Sequence, residues 1–129
     1  MVSDSGSFLP PSDTGNWPGL DVAAGLEQVF DKQALYRKLL RSYCDSNVAT
    51  AQKLDVALAA GDRNQLSRLA HTLKGTSGTL GMPAVYAAAF ALERADPTAS
   101  PEQLAALLNE LKIAQDTVRD SIERYLAAD

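Results

Sequence analysis

The segment from Ala70 to Gly81 combines a helical spacing of apolar residues with three glycines, and this combination constrains the fold more than any other feature. It reads AHTLKGTSGTLG and contains the only histidine of the chain, His71. Each glycine costs about 0.8–1 kcal/mol relative to alanine in a helix interior. A segment whose pattern is helical and whose composition opposes a helix indicates that local stability has been given up for a function.

A helical wheel of residues 66–80 separates an apolar face from the face that carries His71. At about 100° per residue, His71 lies roughly 160° from Leu73. The predicted core stripe consists of Leu66, Leu69, Leu73 and Leu80, with Ala70 and Ser77 at its border. We therefore expect the leucines to face the core and His71 to point at solvent or at a partner.

The predicted neighbours of His71 on the helix surface leave a bare strip of backbone. They are Ser67, Arg68, Lys74, Gly75 and Gly78. Two of these residues have no side chain, and close approach of another surface explains such glycines better than packing toward the core does. Lys74 stands three residues after His71, so the two side chains should be neighbours.

Charge is distributed unevenly along the chain. The net charge is -4, which argues against bulk binding to nucleic acid or to an anionic membrane. Residues 62–82 carry one aspartate against two arginines and one lysine, hence a net charge of +2. The sequence therefore predicts a basic patch around His71 on an acidic protein, which suits an acidic partner.

Length and composition narrow the class of protein further. A chain of 129 residues forms one domain with a substantial core. Cys44 is the only cysteine, which excludes an internal disulfide and, with a single histidine, makes a Cys/His metal site improbable. There is no signal-peptide pattern and no apolar run of the roughly 20 residues that span a bilayer. We expect a cytoplasmic protein.

Helical patterns follow one another without a convincing strand. Residues 1–19, rich in Ser, Gly, Pro and Asp, are predicted to be a flexible leader or linker, and residues 20–129 the domain. Expected helices run from about 21 to 29, from an Asp31 cap to about 43, from about 46 to 58, from 62 to 80, from 83 to 95, and from Ser100 onward. The second and third could be continuous. Short loops predict antiparallel neighbours and an up-down bundle.

Two helix starts and two helix ends carry specific signals. Asp62 and Gln65 have the spacing of a capping box, as do Ser100 and Gln103, where a proline also occupies the first helical position. Gly61 is expected to end one helix. Gly81 and the proline at 83 should end the histidine helix. Tyr86 and Phe90, one turn apart, are expected to fill space between helices.

The residues around His71 fit phosphoryl transfer. An exposed imidazole is a good nucleophile near neutral pH, because its unperturbed pKa is about 6.5. A lysine one turn away can screen phosphoryl oxygens, and glycines leave room for a second protein. No Ser/His/Asp constellation follows from the spacing. The partner would therefore bring most of the catalytic apparatus, including an acidic pocket and a metal.

The stretch HTLKG, followed by TSGTLG, closely resembles the signature of histidine-containing phosphotransfer (HPt) domains. These modules carry phosphoryl groups in multistep phosphorelays. The flanking segments Leu58–Asp62 and Ala91–Glu93 also fit the pattern of that family, so the resemblance covers roughly residues 21–126. The resemblance implies an all-α fold, an antiparallel four-helix bundle core with one or two short accessory helices.

The same resemblance implies roles for individual residues. His71 would accept a phosphoryl group from a receiver-domain aspartyl phosphate and pass it to a response-regulator aspartate. Lys74 would stabilise the phosphate and Gly75 would make room for the receiver. Ser67, Arg68 and Gly78 are candidates for contact with the partner.

The resemblance also implies what the partner supplies. Mg²⁺ would belong to the receiver, and the chain would hold no cofactor and no kinase activity of its own. It would be a monomer as an isolated domain, or the C-terminal part of a membrane-bound hybrid sensor kinase, without direct membrane contact.

Two other functions remain open from the residues. The dimerisation and phosphoacceptor part of a histidine kinase also displays a histidine on a helical bundle. That module normally carries an acidic residue directly after the histidine, whereas this chain has Thr72. A binding module on the same fold, with its histidine unused, is the other alternative.

Overall fold

The computed structural model describes residues 17–128, which form five helices and no strand. The helices are α1 (Val22–Gln28), α2 (Gln33–Ala60), α3 (Arg63–Leu80), α4 (Pro83–Glu93) and α5 (Pro101–Ala127). The predicted all-α class is therefore confirmed. None of these helices is long and apolar enough to cross a bilayer.

Helices α2 to α5 form an antiparallel four-helix bundle, and α1 is the accessory helix. Consecutive helices pack side by side, and α5 closes the bundle against α2. The short α1 lies against α3 and, to a lesser extent, α2. This arrangement leaves α3 between α2 and α4, so side chains on the outer face of α3 have neighbours from both of those helices.

The predicted helix ends coincide with glycines in the left-handed conformation. Gly61 has φ of 69° and Gly81 has φ of 81°. The Asp62 side chain accepts a hydrogen bond from the Gln65 amide at 3.1 Å, as its spacing predicts. The side chain of Gln65 accepts from Arg68 at 3.4 Å instead of closing a capping box. At Ser100 and Gln103 the capping box is complete.

Helix α2 corrects the predicted cap at Asp31 and confirms the alternative that the second and third predicted helices are continuous. Asp31 is not its N-cap, because the turn after α1 closes with main-chain bonds that place Phe30 and Asp31 in the left-handed region and leave Lys32 as the cap. Ser46 starts no helix. Its hydroxyl donates to the Tyr43 carbonyl within the same helix, at 3.2 Å, and α2 runs on unbroken.

The core face of α3 is rotated slightly from the one that the wheel predicts. Its buried residues are Leu66, Ala70, Leu73, Ser77 and Leu80. Leu69 is only half-buried, whereas Ala70 and Ser77, placed at the border of the stripe, have no exposed surface. Small residues lie at the centre because they let α3 approach its neighbours, and the Ser77 hydroxyl is satisfied by the Lys74 carbonyl at 3.1 Å.

The N-terminal end of the described chain packs on the bundle. Trp17 meets the ring of Tyr125 edge to face, with centroids 5.3 Å apart, and the Ser121 hydroxyl donates to the Pro18 carbonyl at 2.6 Å. Leu20 is almost fully buried. Most of the predicted leader, residues 1–16, lies outside the described residues, and its flexibility stays a prediction.

A buried tyrosine joins α2 to the end of α3. The Tyr36 hydroxyl donates to the Leu80 carbonyl at 2.8 Å, and the ring has no exposed surface. Burial raises the pKa of the phenol well above its ordinary value, so Tyr36 remains a neutral donor. A Cβ at Gly25 would lie 2.5 Å from the Leu80 carbonyl oxygen, which shows how closely α1 approaches this junction.

Replacing Tyr36 with phenylalanine is expected to lower the free energy of unfolding by about 1–3 kcal/mol, because the buried Leu80 carbonyl loses its donor. Urea unfolding followed by circular dichroism measures the loss. Tyr86→Phe is the matched control on a half-exposed ring, and we expect it to change stability by less than about 0.5 kcal/mol. Equal losses in both variants would contradict the role of the buried hydrogen bond.

Candidate functional site

His71 lies in the middle of α3, on the face turned away from the core. Its side chain is 67% exposed, whereas the nearby residues Ala70 and Leu73, which face the core, are buried. The predicted orientation is therefore correct. The ring is accessible to a partner and is also held by one neighbour within the molecule.

That neighbour is Glu93, the last residue of α4. Its Oε2 atom lies 2.7 Å from Nδ1 of His71. The neighbouring Lys74 ammonium, and next the hydrogen bond with His71, lower the pKa of Glu93, so the carboxylate is ionised near neutral pH and can only accept. Nδ1 must then carry the ring proton. In the neutral imidazole this leaves the lone pair on Nε2, and Nε2 is the available nucleophile.

Lys74 shares the same carboxylate. Its Nζ atom lies 2.8 Å from Oε1 of Glu93, which is the other oxygen, and 5.3 Å from the centroid of the Phe90 ring. The Oε1 atom is shielded from solvent, and the contact has the distance of an ion pair but not the angles of a hydrogen bond. The structure thus brings His71 and Lys74 together through a residue of α4.

The two glycines beside His71 differ in what they face. A Cβ added at Gly75 would meet nothing within 4 Å. A Cβ at Gly78 would lie 3.3 Å from the Tyr86 ring of α4. Gly75 therefore leaves open space on the surface, as predicted, whereas the room beside Gly78 is used by a side chain of the same molecule.

Tyr86 lies beside Gly78 of α3 and so fills space between two helices, as predicted, but neither its ring nor that of Phe90 is buried. Their rings stack at a centroid distance of 6.4 Å and stay about two-fifths exposed. They form an apolar surface on α4 next to Lys74, and the Arg94 guanidinium lies 5.5 Å from the Phe90 centroid. The Phe90 ring thus lies beside the Lys74 ammonium and not in the core.

A groove runs along the other side of His71, between α2 and α3. Its volume is about 870 Å³, and both His71 and Gly75 line it. The floor is apolar and the walls carry hydroxyl groups; the lining includes Leu39, Leu69, Ser42, Ser46, Thr50, Thr72 and Thr76. Among residues 17–128, Lys53 is the one residue with a permanent charge in this lining, and none of the lining residues is a carboxylate.

The surface around His71 is less basic than the segment charge predicts. Glu93, on α4, forms an ion pair with Lys74 and offsets its charge. The Arg63 side chain donates to the Ala99 carbonyl in the loop before α5, at 2.5 Å. Arg68 is exposed and Ser67 half-buried, and their predicted contact with a partner stays a prediction. Among residues 17–128, no cluster of three or more His, Cys, Asp or Glu side chains could hold a metal ion.

Glu93 is the site residue to which the sequence reasoning assigned no role. It lies 22 positions from His71 along the chain, beyond the turn at Gly81. One signal was present. Tyr86, Phe90 and Glu93 are spaced four and three residues apart, which places them along one face of α4. That face borders α3, and a carboxylate at its end could have been expected to meet a cation there.

Comparisons with known proteins agree with this geometry. A family model described as Hpt domain matches residues 38–124. No curated protein sequence gives a significant match. The fold is similar to the crystal structure of the HPT domain from an Hpt sensor hybrid histidine kinase of Shewanella, with a TM-score of 0.76 and 24% sequence identity. The alignment covers 86% of this chain and 96% of that chain, and at this identity it shows the fold alone.

Proposed function

Because the chain belongs to the Hpt domain family, whose members are phosphotransfer modules of two-component signalling and not kinases, we propose that His71 is its phosphoacceptor. The acceptor takes a phosphoryl group from a receiver-domain aspartyl phosphate and passes it to a receiver aspartate of a response regulator. The observation that carries this proposal is an exposed imidazole whose Nδ1 is held by Glu93 and whose Nε2 has no partner among residues 17–128.

The proposed step needs only this nitrogen and the group that arrives. The Nε2 lone pair attacks phosphorus, and a nitrogen–phosphorus bond forms while the bond from phosphorus to the aspartate oxygen breaks. The electron pair of that bond returns to the receiver carboxylate. Glu93 accepts the hydrogen bond from Nδ1, so the ring proton stays on Nδ1 and Nε2 keeps its lone pair. The ring is therefore oriented before the partner arrives.

Lys74 is the proposed phosphate-stabilising residue. Its ammonium already lies beside the site, held against Glu93 at 2.8 Å and over the Phe90 ring. A rotation of the flexible lysine stem can place the ammonium against a phosphoryl oxygen while the positive charge stays near the carboxylate. A cation at this position offsets the negative charge that accumulates during transfer.

Hpt domains interact with receiver domains, and we infer that a receiver approaches this chain over Gly75. The open space at Gly75 supports this direction, as does the groove beside it, where none of the lining residues in the described part of the chain is a carboxylate. An acidic receiver pocket meets less repulsion there than on the side where Glu93 lies. The Mg²⁺ ion is proposed to come with the receiver, and the domain to act in the cytoplasm, alone or at the C-terminal end of a hybrid sensor kinase.

Transfer of label from a phosphorylated receiver domain tests this proposal. We expect the label to appear in the tryptic peptide Leu69–Lys74, which contains His71 and Thr72. Phosphohistidine is lost in acid and survives in base, whereas phosphothreonine survives acid, so the two residues can be distinguished. Failure of the label to reach the chain from any receiver, or acid-stable label on Thr72, would contradict the proposal. Labelling from ATP alone would instead indicate a kinase.

A further inference from the structure

One carboxylate contacts both functional side chains of the site. Glu93 lies 2.7 Å from Nδ1 of His71 through one oxygen and 2.8 Å from Nζ of Lys74 through the other. Its side chain is 18% exposed, against 67% for the imidazole. A carboxylate that is largely shielded from water interacts more strongly with its neighbours than one on an open surface does. Glu93 is thus placed to act on the ring electrostatically as well as to orient it.

From this geometry we propose that Glu93 is a positioning residue that keeps the proton on Nδ1 of His71 after Nε2 has been phosphorylated. The inference rests on the proposed function. It concerns the chemical state of the phosphorylated ring, which is either a cation that holds the Nδ1 proton or a neutral ring that has lost this proton.

The balance of the transfer step shows why this proton matters. When Nε2 of the neutral ring forms its bond to phosphorus, the ring becomes a cation because Nδ1 still carries its hydrogen. In the next transfer the bond from Nε2 to phosphorus breaks, and its electron pair returns to Nε2. If Nδ1 holds its proton, the leaving group is neutral imidazole. If the proton has gone to solvent, the leaving group is an imidazolate anion, which is far less stable.

The carboxylate favours the cationic ring through charge and through hydrogen bonding. An opposite charge within about 4–6 Å stabilises a charged group, and a hydrogen bond to the charged form adds to this effect. Both conditions are met at Nδ1. The phosphorylated ring therefore stays protonated to higher pH than it would without Glu93, and the phosphoryl group stays ready for transfer.

Other charged groups near the ring must be weighed against Glu93. Lys74 and Arg68 lie on the same helix, Lys53 lines the groove from the α2 side, and Arg94 follows Glu93 at the end of α4. All of them are cations, and each disfavours a positive charge on the imidazole ring. Within residues 17–128, Glu93 is the carboxylate that contacts the ring, and without it the surrounding charge would favour loss of the proton.

The test compares the nitrogen NMR titration of phosphorylated His71 in the wild type and in Glu93→Gln. Potassium phosphoramidate, a small donor that needs no receiver, phosphorylates both proteins. Glutamine keeps an oxygen acceptor at nearly the same position and removes the negative charge. We expect the titration midpoint of the phosphorylated ring to fall by about one pH unit in the variant. Above both midpoints, return of the phosphoryl group to a receiver should then slow by up to about tenfold.

Three further variants separate this effect from its alternatives. Glu110→Gln removes an exposed carboxylate from α5 and should leave the midpoint unchanged. Glu93→Asp retains the charge on a shorter stem and should recover part of the shift. Glu93→Gln should still lower the midpoint when it is made in a Lys74→Gln background, because the effect acts on Nδ1 directly and not through release of the lysine.

The outcomes distinguish this inference from the proposed function. Phosphorylation of His71 with the same midpoint in the wild type and Glu93→Gln would overturn the inference and leave the phosphoacceptor role intact. Disappearance of the shift in the Lys74→Gln background would overturn it as well. If Glu93→Gln does not fold, Glu93→Asp replaces it in the test. Its shorter stem should still lower the titration midpoint of phosphorylated His71 measurably below that of the wild type. If a phosphorylated receiver never labels His71, the proposed function itself fails.

Discussion

Replacing His71 with glutamine is expected to reduce phosphoryl acceptance from a receiver by at least about 10³-fold, because the reaction loses its nucleophile. The amide nitrogen of glutamine has a delocalised lone pair and cannot attack phosphorus. The side chain is 67% exposed, so the substitution should change the free energy of unfolding by less than about 0.5 kcal/mol. Radiolabel transfer and urea unfolding measure the two quantities.

Thr72→Val is the matched control for this variant. Thr72 follows His71 directly and is exposed, and its hydroxyl donates to the Arg68 carbonyl of its own helix at 3.2 Å. We expect transfer to Thr72→Val within about threefold of the wild type, since this hydroxyl takes no part in the step. Label that still reaches His71→Gln would show that another residue accepts the phosphoryl group.

Replacing Gly75 with leucine is expected to slow transfer from a receiver by about 10–100-fold while making the protein more stable. The slowing follows because bulk beside His71 displaces the receiver, and a displacement of about 1 Å can cost 10²-fold in rate. The stabilisation follows because a Cβ at Gly75 meets nothing within 4 Å, so the gain in helix propensity of about 0.5–1 kcal/mol is not offset by a clash.

In the Gly75→Leu variant, a small phosphoryl donor distinguishes an effect on receiver docking from an effect on the reactivity of His71. Phosphoramidate needs no protein surface, so its reaction with His71 should stay within about threefold of the wild-type rate. Ala105→Leu, on the exposed side of α5, is the control for added bulk away from α3 and should change neither rate. Equal slowing with phosphoramidate and with the receiver would show that Gly75 acts on the histidine itself and not on docking.

Local signals in the sequence account for most of the bundle. The capping pair Asp62 and Gln65, the capping box that begins at Ser100 and the glycine at 61 each act within a few residues, and the structure confirms their positions. The exposure of His71 is equally local, because it follows from the angle between two residues on one helix. The cap predicted at Asp31 was wrong because a competing local turn replaces it, with Lys32 as the cap.

The glycine-flanked histidine shows where sequence reasoning ends. Gly75 and Gly78 lie on either side of His71 on a helical wheel of α3, about 60° apart, and one faces open space whereas the other faces Tyr86. The difference comes from α4, which packs along one side of α3 only. For the same reason the charge of residues 62–82 overstates the basic character of the site, since it omits the carboxylate of Glu93.

The sequence by itself determined the all-α class, the helix that carries His71 and the outward direction of its ring, because helix periodicity and capping depend on residues close together in the chain. Only the tertiary structure decided that Glu93 holds Nδ1 and Lys74, that the groove lies on the α2 side, and which glycine stays open. These features depend on how α2 and α4 pack against α3, and packing places residues of different helices in contact, such as His71 and Glu93, which are 22 positions apart in the chain.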